Sequence, residues 1–268
     1  MCLSEDIDAF HSRPFVQRRA GGQGELFAPL RCECNPTILC LASTPGIRQT
    51  ASMSPSPKRH PRVLLLHGIW NTRSWLIPLA WRLRTQGFQV EIFGYPSVSG
   101  GPDVAVPLLL ERLRGGGPIS LVGHSLGGLV ALEALRQAPE LEVPRVVCLG
   151  SPLCGSETAR SLADHGWSAA LGRSGDLLQH GLPGWSGPAQ VGLIAGSVAH
   201  GLGALMGALH GDSDGTVALS ETCLAGLADH CIVPASHSGL VLSHEVAGLT
   251  AAFLRQGRFP SEAVRRAS

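Results

Sequence analysis

Three short polar stretches hold the side chains best able to do chemistry together. Gly123-His124-Ser125-Leu126-Gly127-Gly128 sets a serine between glycines two before and two after it. That spacing suits a tight strand-to-helix turn, because glycines let neighbouring backbones approach where a Cβ would clash. Gly211-Asp212-Ser213-Asp214-Gly215-Thr216-Val217 is an acidic loop, and Pro234-Ala235-Ser236-His237-Ser238-Gly239 offers an imidazole. A serine hydroxyl, a base to take its proton and a carboxylate to orient that base are the parts needed to attack a carbonyl carbon.

The serine pattern alone is weak. With 34 glycines in 268 residues, Gly-x-Ser-x-Gly arises about 0.4 times by chance. The chain holds a second match, Gly211 to Gly215, centred on Ser213. Context separates the two. Ile119-Ser120-Leu121-Val122 before Ser125 is a continuous apolar strand pattern, and Leu126–Arg136 after it has a helical one. Ser213 follows no clean strand and opens no helix, so it is read as a decoy.

These motifs need a frame. Short apolar runs at Val63–Leu66, Phe88–Tyr95, Ile119–Val122, Arg145–Leu149, Val191–Ala195 and Cys231–Val233 read as strands. Helical patterns fall between them at about Trp75–Gln86, Val104–Arg114 and Leu126–Arg136, with a last one at Ser243–Arg255. Strands that are apolar throughout, alternating with helices, predict an α/β fold with a mostly parallel central sheet covered by helices on both faces. No internal repeat is present.

The loop after the first strand, His67-Gly68-Ile69-Trp70, can return toward Ser125. A tetrahedral intermediate needs two preorganised amides for its oxygen. The expected donors are Leu126, just after the serine, and Ile69, with Trp70 as fallback. His67 is read as a structural hydrogen-bonding residue. Trp70 and His124 are expected to border the substrate. Where the partners follow the serine in the order acid then histidine, the acids are Asp212, Asp214, Glu221 and Asp229, and the histidines are His200, His210, His230, His237 and His244. His237 lies between the last strand and the last helix, whereas His230 falls on the strand and His244 in the helix. Asp214 is preferred to Asp212. Both carboxylates could instead only cap an Asx-turn.

Bulk properties narrow the function classes. A net charge of +1 with 15% charged residues gives no basic surplus for nucleic acid or anionic lipid. The eight cysteines include no CxxC pair, so no zinc site of ordinary spacing is expected, and reduced thiols are. The apolar stretch Ile38–Ala42 is too short for a membrane span or a signal core. No metal, no cofactor and a cytoplasmic location are therefore expected. Residues 1–57, punctuated by Gly21-Gly22, Pro45-Gly46 and Ser54-Pro55-Ser56-Pro57, are expected to be a disordered or loosely attached extension, with Met53 as an alternative start. Residues 58–260 are the expected catalytic domain and 261–268 a tail.

From about Arg62 to Phe259, about three-quarters of the chain, the sequence resembles small bacterial lipase-like α/β-hydrolases with little or no cap. The matching landmarks are His67-Gly68-Ile69, Gly123 to Gly128, Leu149-Gly150-Ser151-Pro152, Asp214-Gly215-Thr216-Val217, Ser236-His237-Ser238-Gly239 and Phe253-Leu254. It departs at Leu153-Cys154-Gly155-Ser156, where relatives often carry a histidine. The resemblance implies a Ser125–Asp214–His237 triad, an oxyanion hole from Ile69 and Leu126, and carboxylic ester hydrolysis of a small-molecule or lipid ester. An acyltransferase using the same triad, or a catalytically silent binding protein on the same fold, is the alternative. The insertion Leu153–Gln190, carrying Trp167, Leu171, Leu177, Leu178 and Trp185, either covers an acyl pocket or packs on the sheet.

Overall fold

The computed structural model describes residues 60–200 and 212–261. Its sheet has strands β1 (Arg62–Leu66), β2 (Gln89–Phe93), β3 (Ser120–His124), β4 (Arg145–Leu149), β5 (Gln190–Gly196) and β6 (Asp229–Val233). They lie in the order β2-β1-β3-β4-β5-β6 and every neighbouring pair is parallel. This is the predicted architecture. The central strand β3 is buried along its whole length, which is why Ser120-Leu121-Val122-Gly123-His124 shows no polar alternation.

Helices cover both faces. On one side lie α2 (Gly101–Arg114) and α3 (Leu126–Gln137), whose Leu109, Leu113, Leu129 and Leu132 meet Leu64, Leu121 and Val146. On the other lie α1 (Ile77–Thr85) and a terminal helix, α8 (His244–Gln256), packing Leu79, Leu83, Val246 and Phe253 on Val63, Val122 and Ile194. Alternate residues of each strand therefore feed separate cores. Ser243 caps α8, its hydroxyl accepting from the Val246 amide at 3.3 Å. Such a cap is worth about 1 kcal/mol.

Some elements were not foreseen. The expected helix over 75–86 opens as a 3-10 turn, Arg73–Leu76, before α1 begins at Ile77. The insertion 153–190 contains α4 (Glu157–Asp164), α5 (Ser168–Leu171) and α6 (Gly175–His180). These pieces are too short to show helical periodicity. A further turn, α7 (Gly239–Leu242), sits between His237 and α8. The extension expected over 1–57 and nearly all of the 261–268 tail lie outside the described residues, as does His210. Among the described residues no helix is long and apolar enough to cross a membrane.

Candidate active site

Ser125 and His237 follow the carboxyl ends of β3 and β6, and Asp214 lies against both the end of β4 and His237, whereas Asp229 and His230 open β6 and His244 lies in α8. Ser125 sits between β3 and α3 with φ 54° and ψ −123°. It is one of two non-glycine residues at positive φ among the described residues, a backbone state that an L-residue keeps only when its surroundings enforce it. The enforcement is visible. The Ser125 amide donates to the Leu149 carbonyl at 2.9 Å, and its carbonyl accepts from the Gly128 amide at 3.1 Å. Gly123 must be glycine, because a Cβ there would stand 2.3 Å from the Gly128 nitrogen.

Asp214 is almost fully buried at 1% exposure, yet none of its oxygens is idle. Oδ1 accepts from the amides of Thr216 and Val217 at 2.9 and 2.8 Å. Oδ2 faces His237 Nδ1 at 2.7 Å. The His237 amide also donates to the Asp214 carbonyl at 2.9 Å. The carboxylate and the imidazole are thus joined by main chain and side chain, which fixes the ring with Nδ1 protonated and Nε2 free. Asp212 is exposed and takes no part. Ser213 is buried in an isolated bridge with Ala218 and follows no described strand end into a helix.

Ser125 and the acid–base pair meet through β4. Gly150, directly after Leu149, has φ 55°, and a Cβ on it would lie 2.9 Å from Asp214 Oδ2 and 3.1 Å from His237 Nδ1. Sequence reasoning used Gly150 only as a landmark. Its signal is the glycine at the carboxyl end of the strand beside the nucleophile strand, where backbone must pass under a side-chain pair. Among the described residues no hydrogen bond joins Ser125 Oγ to His237; such contacts often tighten only when substrate arrives.

His124, expected to border the substrate, is packed against the His237 ring. Its ring is 2% exposed and does not line the cavity beside Ser125. Nε2–H donates to the His237 carbonyl at 3.0 Å, and the two rings lie 4.7 Å apart. His124 stays close to the nucleophile all the same, since a Cβ on Gly68 would lie 3.0 Å from Ser125 Cβ and 3.3 Å from His124 Nδ1. Burial, and next the neighbouring His237, push the His124 pKa down to about 3. It is a neutral post under the candidate base.

The turn 68–71, closed by the Asn71 amide on the Gly68 carbonyl at 3.4 Å, leaves the Ile69 and Trp70 amides outside the turn bond. Leu126 opens α3, so its amide has no intrahelical acceptor. His67 braces this turn, as expected. Its Nδ1 donates to the Gly68 carbonyl at 2.9 Å, its ring stacks on Tyr95 at 4.4 Å, and Tyr95 Oη donates to the His67 carbonyl at 2.5 Å. Trp70 is the second residue at positive φ, 58°. Its Nε1–H crosses to the Ala170 carbonyl in α5 at 2.7 Å.

Between these loops is a narrow, mostly apolar cavity of ≈ 40 Å³ that opens to solvent. Ser125, Ile69 and Trp70 form one side, Thr216 and Val217 another, and Leu162, Leu171 and Leu178 of the insertion its wall. Leu171 and Leu178 line the cavity, Trp185 packs in the core with Nε1–H on the Ala189 carbonyl at 2.8 Å, and Trp167 is 64% exposed. Among the described residues no three His, Cys, Asp or Glu side chains gather to hold a metal ion.

No protein-family model and no curated protein matches the sequence. Solved structures do. The propeptide form of Bacillus licheniformis lipase BlEst2 aligns over 75% of this chain and 51% of its own, with TM-score 0.65 and 20% identity. The mature form of that lipase aligns over 76% and 94%, with TM-score 0.62 and 20% identity. Legionella pneumophila phospholipase PlaB aligns over 76% and 62%, with TM-score 0.57 and 14% identity. The chain thus spans about half the length of the propeptide form and under two-thirds of PlaB. At such identities the shared property is the fold, and it is the α/β-hydrolase fold.

Proposed function

We propose that this protein hydrolyses carboxylic esters through an acyl-enzyme on Ser125. The observation that carries the reading is the buried Asp214 carboxylate 2.7 Å from His237 Nδ1, at the same sheet edge as a serine held at φ 54°. A serine that only packed or capped a helix would have no reason to occupy that backbone state.

In the first half-reaction His237 Nε2 takes the Ser125 proton as Oγ bonds to the ester carbonyl carbon. The Ile69 and Leu126 amides receive the oxyanion. The C–O bond to the alcohol breaks, and His237 returns its proton to the departing oxygen. Water then adds to the acyl carbon with His237 again as base, and Ser125 leaves reprotonated with the carboxylic acid. Asp214 holds the imidazole in the required tautomer and stabilises its cation without taking the proton. His124, a neutral group beneath His237, fixes the main chain of the base without adding a charge.

The apolar lining beside Ser125, with Leu162, Leu171, Leu178 and Val217, supports an apolar acyl group. The likeness in fold to a lipase and a phospholipase supports ester substrates as a class. The test is labelling with a fluorophosphonate, wild type beside Ser125→Ala. Labelling that disappears in the variant, with p-nitrophenyl ester turnover falling by about 10⁴-fold, is the expected result. A folded wild type that takes no label overturns the reading in favour of a silent binding protein.

A further inference from the structure

Four cysteines fall among the described residues, and they divide sharply. Cys148 and Cys231 are buried, and burial pushes both thiols up to about 12. Cys154 and Cys223 are exposed, lie 69 positions apart in the chain and meet in space. The Cys154 thiol donates to the Cys223 carbonyl, and the Cys154 amide donates to the Glu221 carbonyl at 2.9 Å. Cys223 Sγ points to the Leu219 carbonyl at 3.6 Å. A turn of the Cys223 side chain about Cα–Cβ, releasing that weak contact, carries its sulfur toward Cys154.

We infer that Cys154 and Cys223 form a disulfide-bonding site, oxidised by a low-molecular-weight disulfide such as oxidised glutathione. One protein thiolate attacks a sulfur of the small disulfide, making a mixed disulfide and releasing one small thiol. The second protein thiolate attacks the protein-bound sulfur and releases the other. Two protein thiols lose two electrons and two protons, and the small disulfide gains them as two thiols. The thiolate is the reacting form. Burial and the neighbouring Cys223 both hold the Cys154 thiol above its ordinary range, so the reaction quickens as pH rises.

The bond would join the two segments that wall the cavity. Cys154 stands between Pro152 and Ser156, and Cys223 follows the segment carrying Asp214, Thr216 and Val217. Glu221 already links them, its carboxylate accepting from the Ala218 amide at 2.9 Å and from the Glu157 amide. A cross-link closing so long a loop is expected to raise Tm by about 5–10 °C.

The experiment exposes the reduced full-length chain to oxidised glutathione under native conditions. Remaining thiols are then capped in denaturant, and the unreduced digest is sequenced by tandem mass spectrometry. A Cys154–Cys223 cross-link lighter by two hydrogens, reversed by dithiothreitol, is expected, with Cys148 and Cys231 capped. Tm should rise on oxidation in wild type and stay put in Cys223→Ser and in Cys154→Ser. Glutathione adducts without the cross-link, unreacted thiols, or either residue joined to another cysteine overturn the inference; so does a cross-linked chain that melts no higher than the reduced one. None of these readouts depends on Ser125 being a nucleophile.

Discussion

Acid should weaken this fold through one identifiable ring. His124 is buried at 2% exposure, faces His237, Asp214 and His67, and has Nδ1 without a hydrogen-bonding partner among the described residues. Burial holds its folded pKa at about 3, whereas in the unfolded chain it titrates near the ordinary value of about 6.5. Between those values the unfolded chain binds a proton that the folded chain refuses. Stability therefore falls as pH falls, by up to about 1.4 kcal/mol per unit, or about 3 kcal/mol from pH 7.5 to 4.5. That is a large share of a typical folding free energy of about 5–15 kcal/mol. His124→Gln removes the titration and keeps an N–H that can reach the His237 carbonyl. Urea unfolding followed by tryptophan fluorescence at pH 7.5 and 4.5 should show wild type losing about 3 kcal/mol more than the variant. Burial also lowers His67 and His230 in the same sense and raises Glu221 in the opposite one, but these contribute equally to both chains. Equal losses in the two proteins would refute the buried-neutral-histidine reasoning.

Three more expectations follow from the geometry. Asp214→Asn can keep the bonds from Thr216 and Val217 on its carbonyl oxygen, so circular dichroism should be unchanged while kcat falls by about 10⁴-fold. In a p-nitrophenyl ester series, kcat/KM should climb about 4-fold per added methylene, the value of about 0.8 kcal/mol for burying one, and stop climbing once the acyl chain fills the space before Leu178; a flat series would remove the cavity from substrate binding. Gly123→Ala drives a Cβ into the Gly128 backbone, so it should cost about 3 kcal/mol or more by urea titration, where Gly115→Ala, in open space at φ −89°, costs far less.

The parts legible in the sequence were those with a long or rigid pattern. Arg145–Leu149 is the strand over just the residues expected, and the serine elbow declared itself because glycine spacing, apolar strand and helix all agreed. Element ends shifted by a residue or a few, as at Gln89–Phe93, since hydrogen bonding rather than hydropathy ends a strand. The insertion was illegible because α5 has four residues, barely one helical turn, whereas a periodic pattern needs several. The role of His124 is illegible for a different reason: its partner is the His237 carbonyl, 113 positions further along the chain. Gly150 was seen but not understood, because its partners come from residues 64 and 87 positions further along the chain.

The parallel sheet also decides how the molecule could be held. Every loop of the candidate site leaves a carboxyl end of a strand, so the turns that enter β3, β4 and β5 lie on the opposite rim. Glu140, exposed in the turn before β4, is a natural place to graft a resin linker or a fusion partner. A bead attached there leaves the cavity mouth facing the bulk liquid. Attached instead at Trp167, three residues before the Ala170 carbonyl that holds Trp70 of the cavity lining, the same bead would pull on the wall of the site itself.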